Sequence, residues 1–198
     1  MLGWTHEDAL AVLSAVIGTI GMVPYVVAIL RRQTKPHIFT WFIWGLISAI
    51  VTSVQFSKGG GAGAWAMAVV ALSCLGIAAL ACKYGEKDIT RSDWLAFLTA
   101  LLAIPLWYFT SDPIWSVLLV SAIDAVAFYP TIRKSWLKPL EESVFNFVCG
   151  NIRFLLAIFA LEQFSLTNVL YPLTVVVLNT GFIVMVLWRR RLLSPVIA

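Results

Sequence analysis

Charge is scarce in this chain. Only 12% of its 198 residues are Asp, Glu, Lys or Arg, against about a quarter in a soluble domain of similar size. A surface made for water is excluded by that shortage. Cysteine and histidine are scarce as well, with three and two copies. Cys74, Cys82 and Cys149 lie in or beside apolar runs and show neither metal-ligand spacing nor a secreted disulfide pattern. They read as small buried side chains. His6 and His37 each stand alone, His37 in a short loop beside Pro36, where it reads as interfacial. No nucleophile, base and orienting group fall together, so the chain reads as not an enzyme, with no cofactor and no metal. The glycine run GGGAGAW (59–65) lacks the lysine and serine of a phosphate cradle and reads as an external turn. The basic residues are spread over several short loops, which excludes a nucleic-acid face despite the net charge of +4.

What the chain has instead is apolar length. It is 61% apolar with a mean hydropathy of +0.91. A membrane helix needs roughly 20 mostly apolar residues. Seven candidate spans meet that pattern, near 10–29, 38–56, 64–82, 94–109, 114–132, 144–161 and 169–188. The fourth is short and contains Pro105. The N-terminus MLGWTHEDAL lacks the basic stretch of a cleavable signal.

Orientation follows from the loops. RRQTKPH, KYGEKDITRSD, RKSWLKPLEE and RRRLL carry three basic residues each, twelve of the fourteen Lys and Arg. The alternate loops carry Lys58 alone, and Arg153 lies inside a span. Lys and Arg stay on the cytoplasmic side during insertion, so the N-terminus is expected outside and the C-terminus in the cytoplasm. The expected location is the plasma (inner) membrane. Glu141 and Glu142, among the basic residues of the third such loop, are expected in solvated ion pairs. Trp41, Trp44, Trp65, Trp94, Trp107, Trp115 and Trp188 gather toward span ends, as an aromatic belt does, with room for one or two of them to line a cavity instead.

An internal repeat is visible at a spacing near 105. Pro24 aligns with Pro130, each near the inner end of its helix. Basic residues follow in both copies, then a second proline, Pro36 or Pro139. Gly45 aligns with Gly150, and Gly76 with Gly181. The expected fold is therefore an all-α integral membrane protein of seven transmembrane helices. Two parallel three-helix repeats (1–83 and 113–198) are joined by a linker helix (84–112), because like-facing triplets need one extra crossing. Parallel repeats of this kind are known among transporters.

The three-one-three order, the proline near the inner end of the first and fifth helices, and the loops RRQTKPHIFTW and RKSWLKPLEESVF resemble the PQ-loop superfamily, which includes the SWEET sugar transporters. The family's Pro-Gln pair reads Pro24-Tyr25 and Pro130-Thr131 here. The resemblance implies a solute transporter working by alternating access, with Pro24 and Pro130 as hinges. Asn179 resembles the substrate-contacting asparagine of SWEETs. Its third-helix counterpart is Cys74, with Ser73 beside it.

Depth arithmetic singles out the same region independently. At 1.5 Å per residue, about ten residues reach the bilayer centre. Thr19, Ser48, Ser73 and Cys74 fall there in the first half; Asp124, Asn151, Arg153 and Asn179 fall there in the second. An ionised side chain at that depth costs about 3 kcal/mol or more, so Asp124 and Arg153 are expected to face a wet interior. Their equal depth leaves a mutual ion pair open. Asp124, Arg153, Asn179, Asn151, Ser73 and Cys74 are thus the candidate substrate-binding residues. The expected partners are a small solute, polar or zwitterionic or a sugar, and the lipid bilayer, with proton coupling and homo-oligomerisation left open. A membrane receptor or trafficking scaffold on the same fold is the other reading.

Overall fold

The computed structural model describes residues 6–57, 61–110, 112–159 and 164–193. Among them are seven α-helices and no strand: α1 His6–Leu30, α2 Ile38–Ser57, α3 Gly61–Tyr84, α4 Arg91–Phe109, α5 Pro113–Leu137, α6 Val144–Phe159 and α7 Leu166–Leu193. A 3-10 turn, Pro139–Glu141, precedes α6. Three helices are long and apolar enough to cross a membrane, over Val12–Leu30, Ile114–Leu137 and Leu166–Leu193. The glycine run expected as a turn is largely helix, since α3 begins at Gly61; residues 58–60 lie outside the described residues, as does the end expected for the sixth span at 161.

Local chemistry fixes several boundaries. Asp112 caps α5 by accepting from the Ile114 and Trp115 amides, with Pro113 at the first helical position, where its missing N–H costs nothing. Thr90 and Asp93 open α4 reciprocally: the Thr90 amide donates to Asp93 Oδ2 at 2.8 Å and the Asp93 amide to Thr90 Oγ1 at 3.3 Å, a capping box. At the end of α1, the Gln33 amide donates to the Ala28 carbonyl and the Arg32 amide to that of Ile29, each at 2.9 Å. Arg32 takes φ 59°. This is a Schellman end with arginine in the left-handed position that usually holds glycine.

In chain order, α1–α3 and α5–α7 are two triplets of helices on either side of α4. Helix α3 packs on α1 and on α2, and α7 packs on α5 and on α6; α1 meets α2 through the Tyr25 and Trp41 rings, 5.1 Å apart, and α5 meets α6 through Phe128 and Phe147, 5.6 Å apart. Across the middle, α1 lies on α6 and α2 on α5, while α4 sits outside on α5 and α2. The core follows that division. Tyr25, Ile29, Trp41, Cys74, Ile77 and Ala78 fill the first triplet; Phe128, Phe147, Phe182 and Val186 fill the second. Ile43, Ala100, Ile123 and Ala127 join α4 to both. The outer surface is apolar too. Val16, Ile20 and Val23 on α1, and Leu95, Leu102 and Leu106 on α4, stand exposed, and exposed apolar patches of this kind mark a surface meant for a partner or a membrane.

The ends of α1, α3, α5 and α7 and the starts of α2, α4 and α6 meet at one end of the bundle. Lys35 pairs with Glu141 at 2.6 Å, Lys138 with Glu86 at 2.8 Å and Arg133 with Asp93 at 2.7 Å, and Arg190 donates to the Pro139 carbonyl at 3.0 Å.

Candidate functional site: a central cavity between the triplets

A cavity of about 180 Å³ lies where the triplets face each other, lined from α1, α2, α3, α5, α6 and α7 but not from α4. That space has room for several waters or a small metabolite, since about 15 Å³ admits one water. Of the six expected binding residues, Asp124, Arg153, Asn179 and Cys74 line it. Ser73 and Asn151 do not. Ser73 donates to the Val69 carbonyl in its own helix at 2.7 Å, and Asn151 donates to Thr180 Oγ1 at 2.9 Å.

The polar groups converge from different helices. Asp124, Asn179 and Cys74 are buried. Tyr171 Oη donates to Asp124 Oδ1 at 3.4 Å. Among the described residues Asp124 and Arg153 form no ion pair. Ser14 Oγ on α1 donates to the Arg153 main-chain carbonyl at 2.9 Å, which ties the two triplets together at cavity depth. The guanidinium lies 5.3 Å from the Phe154 ring centre. Gly18 on α1 makes room for the arginine arm: a Cβ there would meet Arg153 Cδ at 2.8 Å.

Gly18, Asn146, Tyr171, Trp41 and Trp44 are among the lining residues not singled out from the sequence as binding residues. A signal existed for two of them. Tyr171, Val175 and Asn179 recur every fourth residue, as do Asn146 and Gly150, with Arg153 three further on; such spacings share one helix face. The tryptophans divide. Trp94, Trp115 and Trp188 are exposed near helix ends, as a belt requires, whereas Trp41 is 3% exposed, packs 5.3 Å from Trp44 and lines the cavity with it. The side chains of Trp65 and Trp107 lie outside the described residues.

At the charged end, two expectations are corrected. Glu142 is not solvated: it pairs with Lys134 at 2.7 Å, the side chains 0% and 1% exposed. Burial is afforded by the turn Pro139–Glu141, which folds back over the end of α5, where Lys134 Nζ also donates to the Glu141 carbonyl at 3.0 Å. His37 is not interfacial either. Its ring is 1% exposed and lies 3.4 Å from Asp93 Oδ2, with neither nitrogen in a hydrogen bond.

Burial pushes the His37 imidazole below its ordinary value; nearby Asp93 opposes this, and Arg133 and Lys134 reinforce it. For Asp93 and Glu86, burial works against ionisation but is outweighed. Arg133 and Thr90 hold Asp93 below the usual carboxylate range, and Lys138 with the Asp88 and Lys87 amides does the same for Glu86. The hydrogen bond to Glu86 raises Lys138 in turn. No group of three or more His, Cys, Asp or Glu among the described residues is arranged to hold a metal ion.

Compared with protein-family models, curated proteins and solved structures, the chain matches none.

Proposed function

We propose that this chain is a seven-helix integral membrane protein of two parallel three-helix repeats and a linker helix, and that it carries a small polar solute by alternating access. The central cavity carries this reading. It collects a carboxylate, a guanidinium and two carboxamides from α5, α6 and α7, where an apolar exterior leaves such groups no other water. The packing order supports the repeat: the third helix of each triplet packs on both of the others, and each triplet's first helix faces the other's second. Helix α4 lines no part of the cavity, as a linker should. The PQ-loop and SWEET-like resemblance is part of the same proposal. So is the orientation, with the N-terminus outside and the C-terminus in the cytoplasm of a plasma (inner) membrane. The ion pairs Lys35–Glu141 and Lys138–Glu86 then close the cytoplasmic end, and Pro24 and Pro130, both inside helices, are the places where the triplets bend.

Uptake into proteoliposomes of a solute panel, with and without a pH gradient, tests the proposal. Saturable uptake of one solute class, weakened by Asp124→Asn, is expected. Well-folded protein that moves no solute but captures a specific peptide or protein partner would shift the assignment to a membrane receptor.

A further inference from the structure

The cavity holds a cation without a counterion. Among the described residues, no carboxylate lies within ion-pair distance of Arg153, and its guanidinium makes no hydrogen bond. Asp124 lines the same cavity but takes its hydrogen bond from Tyr171. Arg153 is half-buried, and cations drawn away from water are normally paired, because an isolated charge there is costly. Here the space where a partner belongs is the cavity itself. The side chains of Asn146 and Asn179 also line it and have no hydrogen-bond partner among the described residues, so donors and acceptors beside the guanidinium are free for a ligand. Gly18, by lacking a side chain, lets the arginine arm lie against α1.

We infer that Arg153 is an anion clamp, and that the solute is a small organic acid bound through one carboxylate. This rests on reading the cavity as a solute site. A guanidinium presents paired N–H donors in a planar fork that matches the two oxygens of a carboxylate. Charge count argues against a dianion. The lining contains one Arg, no Lys and one Asp, so a dianionic phosphate would meet a single cation and a repelling carboxylate. The carboxamides of Asn146 and Asn179 then take the hydroxyl or carbonyl of the acid. The ring of Trp44 and the side chain of Val175 take its short apolar part.

The test uses the purified full chain and measures binding by calorimetry and thermal shift at pH 7. The probes are propionate against propionamide, lactate against lactamide, glucose, and inorganic phosphate. The acids are expected to bind at least tenfold more tightly than their amides, and more tightly than glucose or phosphate. Arg153→Met is expected to abolish that preference. Arg153→Lys, which keeps the charge and a long stem, guards against a folding defect and is expected to weaken the acids at least fivefold while leaving the amides unchanged. Amides, glucose or phosphate binding as well as the acids overturns the inference. So does unchanged acid binding in Arg153→Lys, or no binding by any acid. Flux separates this inference from the transport proposal. Acid binding without uptake removes transport and leaves the clamp; uptake of a neutral solute that no acid competes with removes the clamp and leaves transport.

Discussion

Gly18 and Arg153 fit together across the boundary between the triplets: a Cβ on the glycine would sit 2.8 Å from the arginine Cδ. Glycine at this position in α1 is the space that lets a charged arm from α6 reach the cavity. Gly18→Ala is therefore expected to displace the guanidinium without unfolding the protein, because the clash is with a flexible side chain. Affinity for the cavity's ligand should fall several-fold with little loss of stability. Gly45 is the contrast. A Cβ there would lie 2.7 Å from Leu75 Cγ and 3.1 Å from the Leu75 main-chain nitrogen, so Gly45→Ala pushes on packed α3. It should cost about 1–3 kcal/mol, seen as a lower Tm, with ligand affinity retained by the folded fraction.

The buried Lys134–Glu142 pair makes a prediction of opposite character. Both side chains are at most 1% exposed, so removing one partner strands the other. Glu142→Ala should destabilise by about 3–5 kcal/mol. The double replacement Lys134→Met with Glu142→Leu removes both charges and should recover most of that loss. A double-mutant cycle on thermal or denaturant unfolding checks it; full additivity of the two single changes would show that the pair is not coupled.

His37 gives the protein a pH dependence near neutrality. Its imidazole is held below the ordinary value by burial, opposed by Asp93 and assisted by Arg133 and Lys134. The unfolded chain takes up a proton near the usual 6.5, while the folded chain resists it. The unfolded state thus binds more protons as pH falls below about 6.5, and stability drops by up to about 1.4 kcal/mol per pH unit until the folded imidazole titrates. His37→Phe should flatten the decline of Tm between pH 7 and pH 5. Asp93 and Glu86 act further into acid. Their depressed carboxyls lend stability above the ordinary carboxylate value that is lost as pH falls through the folded value, so that limb should survive in His37→Phe.

Depth along an apolar run was enough to find Asp124, Arg153, Asn179 and Cys74, because an ionised or polar group deep in such a run has few places to go. Depth alone did not find direction around the helix. Asn151 precedes Arg153 by two residues, about 200° of rotation, and Ser73 is turned about 100° from Cys74, so both share the depth but not the face. Asn146 and Tyr171 were legible from spacings of three and four and were missed because depth, not face, was the criterion. The charged end was legible only as an excess of Lys and Arg. Which lysine meets which glutamate depends on how loops distant in sequence come together, such as Lys35 with Glu141, and no local pattern encodes that. The burial of His37 and Glu142 has the same origin.

Pro130, inside α5, yields the last prediction. Proline cannot donate to the carbonyl one turn back and kinks its helix. Near this break, Thr40 Oγ1 on α2 donates to the Ala127 carbonyl at 2.6 Å, and Thr131 Oγ1 donates to Thr40 at 3.0 Å. Hydroxyls from a neighbouring helix are a known way to steady a disturbed backbone. The two threonines also bind α2 of one triplet to α5 of the other, so any bending at Pro130 must work against them. Thr40→Val leaves the buried Thr131 hydroxyl without its acceptor and should cost about 1–3 kcal/mol. Thr40→Val with Thr131→Val should cost less than the sum of the single changes. Pro130→Ala separates a hinge from a fixed kink. If the triplets rock about this point, uptake should slow at least several-fold while ligand affinity in detergent stays the same. Uptake unaltered by Pro130→Ala and by Pro24→Ala would leave both prolines as static bends and place the moving parts elsewhere in the bundle.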